Sequence, residues 1–152
     1  MYHRHKGFTL IELLVVLVVV GILLGIAGYM MMGTLQNSRA SNFVQGLVQD
    51  INVARSRTVT TGVPYRIELT SSNTYKVYKN VSNTWQLQKQ RSNTTVTLGG
   101  FTAGSKLDFS TRGFMTSTNS SGSAVSIPKI TATAPKYSKT ILVTALGVAR
   151  EY

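Results

Sequence analysis

The chain has 152 residues and no cysteine, and its 16 Lys and Arg outnumber five Asp and Glu, for a formal net charge of +11. This length allows one domain besides an N-terminal segment, and the lack of cysteine excludes disulfides, thiol chemistry and Cys-ligated metal sites. The positive charge favours polyanions such as DNA, anionic lipid or acidic polysaccharide as partners. The alternative is a basic domain whose charge only discourages self-association.

A long apolar segment follows a short basic N-terminus. The residues from Leu13 to Met32 are apolar or small, and about 20 such residues cross the roughly 30 Å hydrocarbon core of a bilayer as a helix. Arg4 and Lys6 precede the segment, as expected of residues that stay on the cytoplasmic side. Glu12 is an exception, because a carboxylate inside such a helix costs about 2.5–3.5 kcal/mol and therefore requires a partner or a task.

A secretory signal peptide and a plain membrane anchor are the alternative interpretations of this segment. A signal peptide has an apolar core of about 7–15 residues before a small-residue cleavage site. Here the apolar run is longer, and no Ala-x-Ala-like site follows at Gly33-Thr34. A plain anchor explains the length of the run but gives Glu12 no role.

The stretch Lys6-Gly7-Phe8-Thr9-Leu10-Ile11-Glu12-Leu13 resembles the N-terminus of type IV pilins and of the pseudopilins of type II secretion. The resemblance implies that a prepilin peptidase cuts after Gly7 and that Phe8 becomes an N-methylated N-terminus. It also implies that Glu12 meets the terminal amine of a neighbouring subunit during filament assembly. Such pairing would relieve the cost of burying both charges.

Three glycines, Gly21, Gly25 and Gly28, interrupt the apolar segment. Small residues at four-residue spacing let helices approach closely in lipid, which favours a role in helix packing. The alternative is local weakening of the helix, since each glycine costs about 1 kcal/mol relative to alanine.

The helix is predicted to continue beyond the membrane, from about residue 8 to residue 60. Apolar residues recur at three- and four-residue steps, which is typical of an amphipathic helix with one buried stripe. The stripe consists of Leu35, Phe43, Leu47, Ile51, Ala54 and Thr58. Gly62 and Pro64 then end the helix.

After Pro64 the pattern changes to alternating apolar and polar residues separated by Asn, Ser and Gly clusters, as in antiparallel strands. Strands are predicted over residues 65–70, 74–79, 84–90, 94–98, 106–109, 125–133 and 137–146, and the polar stretch 116–123 is predicted to be a loop. The predicted fold class is therefore α+β, with one antiparallel sheet of seven or eight strands wrapped around the C-terminal half of the helix. The predicted organisation is a leader (1–7), a transmembrane or filament-core helix (8–32), an amphipathic helix (33–62) and a β-rich head (63–152).

Within the pilin-like proteins, the second half of the chain most resembles the GspH/FimT group of minor pseudopilins and pilins. The resemblance rests on the mostly-β head, on Phe109-Ser110-Thr111-Arg112-Gly113, and on the ending Gly147-Val148-Ala149-Arg150. DNA-binding FimT members end in Gly-Arg-x-Arg. Gly147 and Arg150 match that pattern, and Val148 stands in place of the first arginine.

No combination of residues indicates an enzyme, a cofactor or a metal site. Both histidines, His3 and His5, lie in the predicted leader, so the mature chain has neither histidine nor cysteine for nucleophile–base pairs or zinc. The candidates for contact with a polyanion are the basic residues near the end of the chain: Lys129, Lys136, Lys139 and Arg150. The alternative is that these cations are solvated and spread over a sheet surface.

These observations predict a filament subunit, a minor pilin or pseudopilin of a type IV pilus or type II secretion-like machine. Its expected partners are other pilin or pseudopilin subunits, the prepilin peptidase, an inner-membrane assembly platform and, before assembly, membrane lipid. The expected location is the inner membrane with a cytoplasmic N-terminus, followed by the pilus or pseudopilus. The alternatives are a DNA-binding minor pilin that serves DNA uptake, and a major pilin.

Overall fold

The computed structural model describes residues 9–126 and 129–152, apart from the side chains of residues 28–33. Among these residues there is one helix, α1, spanning Leu10–Thr61, close to the predicted helix. The chain divides into two compact units, of which the first ends at Gln36 and the second spans Asn37–Tyr152. We call residues 9–36 the stem and the second unit the head. The predicted cleavage site, Gly7 and Phe8, lies outside the described residues.

The end of α1 is fixed by a glycine and a buried threonine. Gly62 adopts a left-handed φ of 69°, and its N–H donates to the carbonyl of Thr58 at 3.0 Å, as expected of a helix-terminating glycine. The hydroxyl of Thr58 donates to the carbonyl of Ala54 at 2.8 Å and accepts the N–H of Tyr65 at 3.1 Å. This fully buried hydroxyl therefore connects the last turn of the helix to the first strand.

Nine strands follow in the described part of the chain. They are β1 Tyr65–Ser71, β2 Thr74–Val81, β3 Thr84–Ser92, β4 Thr97–Gly99, β5 Ser105–Phe109, β6 Met115–Thr118, β7 Lys129–Ala134, β8 Tyr137–Val143 and β9 Ala149–Glu151. They form two antiparallel sheets with strand orders β3-β2-β1-β5-β6 and β4-β7-β8-β9, which we call the first and the second sheet. The α+β class is confirmed, whereas the prediction of one sheet with seven or eight strands is wrong.

β1 follows the predicted alternation, whereas β3 has no buried residue and leaves Leu87 51% exposed. On β1, buried residues at Tyr65, Ile67 and Leu69 alternate with half-buried ones. The hairpin from β2 to β3 turns through Ser82 and Asn83, with φ of 50° and 61°. Two consecutive positive φ angles give the turn the twist that neighbouring antiparallel strands require.

Other predicted boundaries are wrong because local turns and long-range pairing override the alternation. The predicted strand over 94–98 is displaced to β4, since the side-chain oxygen of Asn93 accepts the N–H of Thr95 at 2.8 Å and makes a turn. The predicted loop over 116–123 begins as β6, whose small polar residues pair with β5, Thr116 opposite Asp108.

The two last predicted strands are also shorter than expected. The strand predicted over 125–133 is β7, which begins at Lys129, while Val125 instead donates its N–H to Ser117 of β6 at 2.9 Å. The strand predicted over 137–146 ends at Val143, because the N–H of Gly147 bonds to the carbonyl of Thr144 at 2.8 Å and turns the chain into β9.

The core of the head lies along one face of α1. Except for Leu35, which is 47% exposed, the predicted stripe is buried from Phe43 to Thr58. Both sheets contribute inward-facing residues to the same cluster. They include Ile67, Leu69, Tyr75 and Leu107 of the first sheet and Leu98, Ile130, Ile141 and Val143 of the second.

The side chain of Asn52 replaces a neighbouring strand at the edge of the second sheet. Its Nδ2 donates to the carbonyl of Ala149 at 3.1 Å, and its Oδ1 accepts the N–H of Ala149 at 3.0 Å. Ala149 is 2% exposed and belongs to the edge strand β9. The two bonds satisfy backbone groups that an edge strand would otherwise leave unpaired.

Asn52→Ala should therefore lower the free energy of unfolding of the head by about 1–3 kcal/mol, because it leaves the N–H and C=O of a buried residue without partners. Urea unfolding of the full chain in detergent micelles, followed by the fluorescence of Trp85, measures this loss. The matched control is Gln49→Ala, which changes an exposed amide on the same helix and should stay within about 0.5 kcal/mol of the native chain. Equal losses in both variants would contradict a specific role for Asn52.

Candidate assembly site and charged clusters

The stem is an apolar helix whose described side chains are solvent-exposed. Its segment Leu10–Ala27 has a mean hydropathy of 3.0, and none of it is buried within the structure. By length and composition the segment can cross a membrane. Such a surface requires cover from lipid or from other apolar helices, because each large apolar side chain gains about 1.5–3 kcal/mol on leaving water.

Glu12 forms a capping box with Thr9 at the start of α1. The N–H and the hydroxyl of Thr9 donate to Oε2 of Glu12 at 2.9 and 2.8 Å, and the N–H of Glu12 approaches Oγ1 of Thr9 at 3.3 Å. The box satisfies backbone donors that a helix start leaves free, and it places a negative charge at the positive end of the helix dipole. The spacing Thr9-x-x-Glu12 is that of a capping box, whereas the resemblance to pilins indicates only a partner in another subunit.

Two of the three stem glycines have open surroundings in the single chain. A Cβ added at Gly21 or Gly25 would meet no atom within 4 Å. The side-chain surroundings of Gly28 lie outside the described set. No contact within the chain accounts for glycine at the first two positions, so their role in close helix packing between subunits stays a prediction.

In the head, Asp50 collects three donors from the first sheet. The Tyr75 hydroxyl donates to Oδ2 at 2.8 Å, Nζ of Lys89 lies 2.7 Å from Oδ1, and Nε of Arg91 lies 3.3 Å from Oδ2. Burial, and then the hydrogen bond to Asp50, raises the pKa of the Tyr75 hydroxyl far above its ordinary value. The hydroxyl therefore remains a donor at physiological pH, and the cluster fastens α1 to β2 and β3.

A second charged cluster lies on the first sheet. Arg66 of β1 pairs with Asp108 of the neighbouring β5 through Nε–Oδ1 at 2.5 Å and Nη2–Oδ2 at 3.1 Å. The guanidinium also lies 4.1 Å from the ring centroid of Trp85 on β3, within the range of a cation–π contact. The cluster therefore links three strands of one sheet.

The four predicted polyanion contacts are divided between different surroundings. Lys129 and Arg150 both lie opposite Leu142 on neighbouring strands, so the three side chains form one row on a face of the second sheet. Lys139 lies opposite the buried Ala132 and has Nζ 3.5 Å from Glu151. Lys136 occupies the turn between β7 and β8. The structure thus brings Lys129 and Arg150 together and separates them from Lys139.

Among residues 9–126 and 129–152, no group of three or more His, Asp or Glu side chains could hold a metal ion. The charged residues found here serve packing between elements instead. These clusters are not visible in the sequence, because Asp50 is separated by 39 positions from Lys89 and Arg66 by 42 positions from Asp108.

Comparison with known proteins gives two matches that agree with the geometry. The family described as the prokaryotic N-terminal methylation motif matches residues 2–28. The minor pseudopilin EpsH from the Type 2 Secretion System of Vibrio cholerae has a similar structure, with a TM-score of 0.50 and 12% identity over 74% of this chain and 95% of that one. At this identity the likeness concerns the fold. No curated protein matches the sequence.

Proposed function

We propose that the chain is a minor subunit of a pilus or pseudopilus, assembled through its stem, as its match to the N-terminal methylation motif and its structural likeness to a minor pseudopilin support. The observation that carries the proposal is the complete exposure of the apolar segment Leu10–Ala27. Lipid covers this segment before assembly, and the stems of other subunits cover it in the filament. The solved structure that the chain resembles over 74% of its length is that of a minor pseudopilin.

Processing precedes assembly in this proposal. The prepilin peptidase removes residues 1–7, and the amine of Phe8 becomes N-methylated. The subunit then sits in the inner membrane with its N-terminus on the cytoplasmic side and its head on the other side, where the assembly platform engages it. The basic residues Arg4 and Lys6 before the apolar run support this orientation.

Glu12 sets the axial position of the subunit by pairing with the amine of a neighbouring Phe8. None of the four ion pairs among the described residues involves Glu12, and among these residues its carboxylate accepts hydrogen bonds from Thr9. In an apolar filament core an ion pair offsets part of the desolvation cost of both charges. Close stem packing at Gly21, Gly25 and Gly28 allows the helices to reach this position.

Mass spectrometry of the mature protein should find Phe8 at the N-terminus, carrying one methyl group. Gly7→Leu should leave the leader attached, because a bulky side chain then replaces the glycine at the cleavage site. Gly33→Ala is the matched glycine substitution outside the motif and should be processed normally. Recovery of an intact Met1 from the native chain, or of an N-terminus near Gly33, would contradict the proposal.

Two variants separate the charge of Glu12 from its capping role. Glu12→Gln keeps an oxygen that accepts the Thr9 donors but removes the charge, and it should reduce incorporation into sheared filaments or pseudopili by about tenfold or more. Breaking a buried ion pair costs about 3–5 kcal/mol, which is enough for such a loss. Thr9→Val removes the hydroxyl of the cap but keeps the carboxylate, and this variant should still assemble.

Quantitative immunoblotting of the filament fraction against the membrane fraction measures both effects. Glu68→Gln serves as a control for loss of one acid in the head. Normal incorporation of Glu12→Gln together with failure of Thr9→Val would show that capping, and not ion pairing, is the function of Glu12.

The row formed by Lys129 and Arg150 favours a second candidate function, capture of DNA by the head. Two cations flank Leu142 on neighbouring strands, and no acidic residue is placed in this row. Phosphate contacts of this kind give binding that is independent of sequence and weakens steeply with salt. Lys139 is a poorer contact, because Glu151 offsets its charge.

Binding of the full chain in micelles to a labelled duplex tests this function. Lys129→Ala and Arg150→Ala should each reduce affinity and lower the slope of log affinity against log salt by about one, as expected for one lost phosphate contact. Lys139→Ala should have a smaller effect. Absence of duplex binding at low salt, or an equal effect of Lys139→Ala, would remove this candidate.

A further inference from the structure

A polar cavity of about 590 Å³ lies within the head, where the helix leaves the stem. It is bounded by the first turns of the head helix, the end of β3 and the following turn. Two arginines, Arg39 and Arg91, line it together with Phe43 and with neutral amide and hydroxyl side chains, and no acidic residue lines it. The turn is held in place, because Nδ2 of Asn93 donates to the carbonyl of Arg39 at 3.1 Å.

Both guanidinium groups have unused hydrogen-bonding capacity. Arg39 is exposed and takes part in none of the four ion pairs among the described residues. Nε of Arg91 lies 3.3 Å from Oδ2 of Asp50, so this side of the guanidinium faces the Asp50 cluster. Planar guanidinium groups are suited to phosphate and carboxylate oxygens.

A glycine in α1 makes room for this arrangement. A Cβ on Gly46 would lie 2.8 Å from Nη1 and 3.0 Å from Cζ of Arg91. A side chain at position 46 would therefore displace the guanidinium. Glycine inside a helix costs about 1 kcal/mol relative to alanine, and the close approach of Arg91 accounts for its presence here.

A second copy of the chain is a poor source of the anion, because four of its five acidic side chains are already engaged. Glu12 accepts from Thr9, and Asp50 and Asp108 are in the clusters described above. Glu151 contacts Lys139, which leaves Glu68 of β1. The cavity therefore fits an external anion.

The position of Arg39 along the chain indicates which anion is at hand. Arg39 follows Met32, the end of the apolar run, by seven residues, which is about 10 Å along a helix and at most about 25 Å in an extended chain. The headgroup layer adds about 5–8 Å on each side of the hydrocarbon core. In an inserted subunit, the helical distance thus puts Arg39 close to the level of the lipid phosphates.

We propose that this cavity binds the phosphate of an anionic phospholipid headgroup through Arg39 and Arg91. The inference rests on the proposed function, since it requires a membrane-inserted subunit before assembly. Asn42 and the hydroxyls of Thr94 and Thr95 line the same cavity and supply neutral polar groups for the glycerol part of the headgroup. The bound lipid holds the base of the head at the membrane surface until the subunit is extracted into the filament.

The test uses the full chain in neutral detergent micelles, titrated with dihexanoyl phosphatidylglycerol by isothermal titration calorimetry. Arg39→Ala should weaken binding by about tenfold or more, as expected for loss of one charge-assisted contact. Arg39 makes no side-chain ion pair, so this variant should fold normally. Arg91→Lys keeps a cation beside Asp50 but loses the planar fork, and it too should bind more weakly. Arg150→Ala is the matched control and should bind like the native chain.

Three outcomes would overturn the proposal. The first is equal binding of phosphatidylglycerol by the native chain and Arg39→Ala. The second is binding of inorganic phosphate as tight as that of the lipid, which would make the site a general anion site. The third is displacement of the lipid by a short DNA duplex in a manner that depends on Arg39. The titration needs neither cleavage nor assembly. Lipid binding can therefore be absent while Phe8 is processed normally, and lipid can bind although processing or assembly fails.

Discussion

The organisation of the head depends on one face of α1, against which both sheets bury their apolar residues. Burial of this face supplies most of the stabilising free energy, but apolar contact does not fix where each sheet lies along the helix. Polar side chains on neighbouring turns of the helix fix that position. Asp50 binds β2 and β3, Asn52 binds β9, and Arg55 donates to the carbonyl of Leu146 at 2.5 Å. Sliding either sheet along the helix would break these polar contacts, so a short segment of helix fixes the position of both sheets.

The stem differs from the head, because its apolar side chains are exposed. Among the described residues, its carboxylate accepts hydrogen bonds from Thr9. These bonds hold Glu12 in a single subunit before a neighbour is available. In the proposed assembly, an ion pair with the amine of a neighbouring subunit fixes the axial position, while apolar contact supplies the affinity.

The sequence predicted those features that depend on local periodicity. The stripe from Phe43 to Thr58 and the positions of the first three strands follow from repeats that are visible in the sequence. The end of the helix at Gly62 follows from the glycine itself. The second sheet could not be predicted, because β4 and β9 have three residues each and their pairing is set by distant partners. The cavity of Arg39 and Arg91 could not be predicted either, since it depends on a helix glycine and a strand end that lie 45 positions apart. The capping box of Thr9 and Glu12, by contrast, follows a known spacing.

The charge distribution of the head bears on the choice between a major and a minor subunit. Four of its fourteen Lys and Arg side chains form ion pairs with described residues, and these pairs engage three of the four acids of the head. A fibre built mainly of this subunit would place like-charged heads side by side, where repulsion acts over a screening length of about 8 Å at physiological salt. Contact with less basic subunits, or with lipid and other external anions, relieves this repulsion. The head has few acids. This shortage leaves the proposed arginine cavity open to an external phosphate, and it also favours a filament in which this subunit is sparse and has different subunits as neighbours.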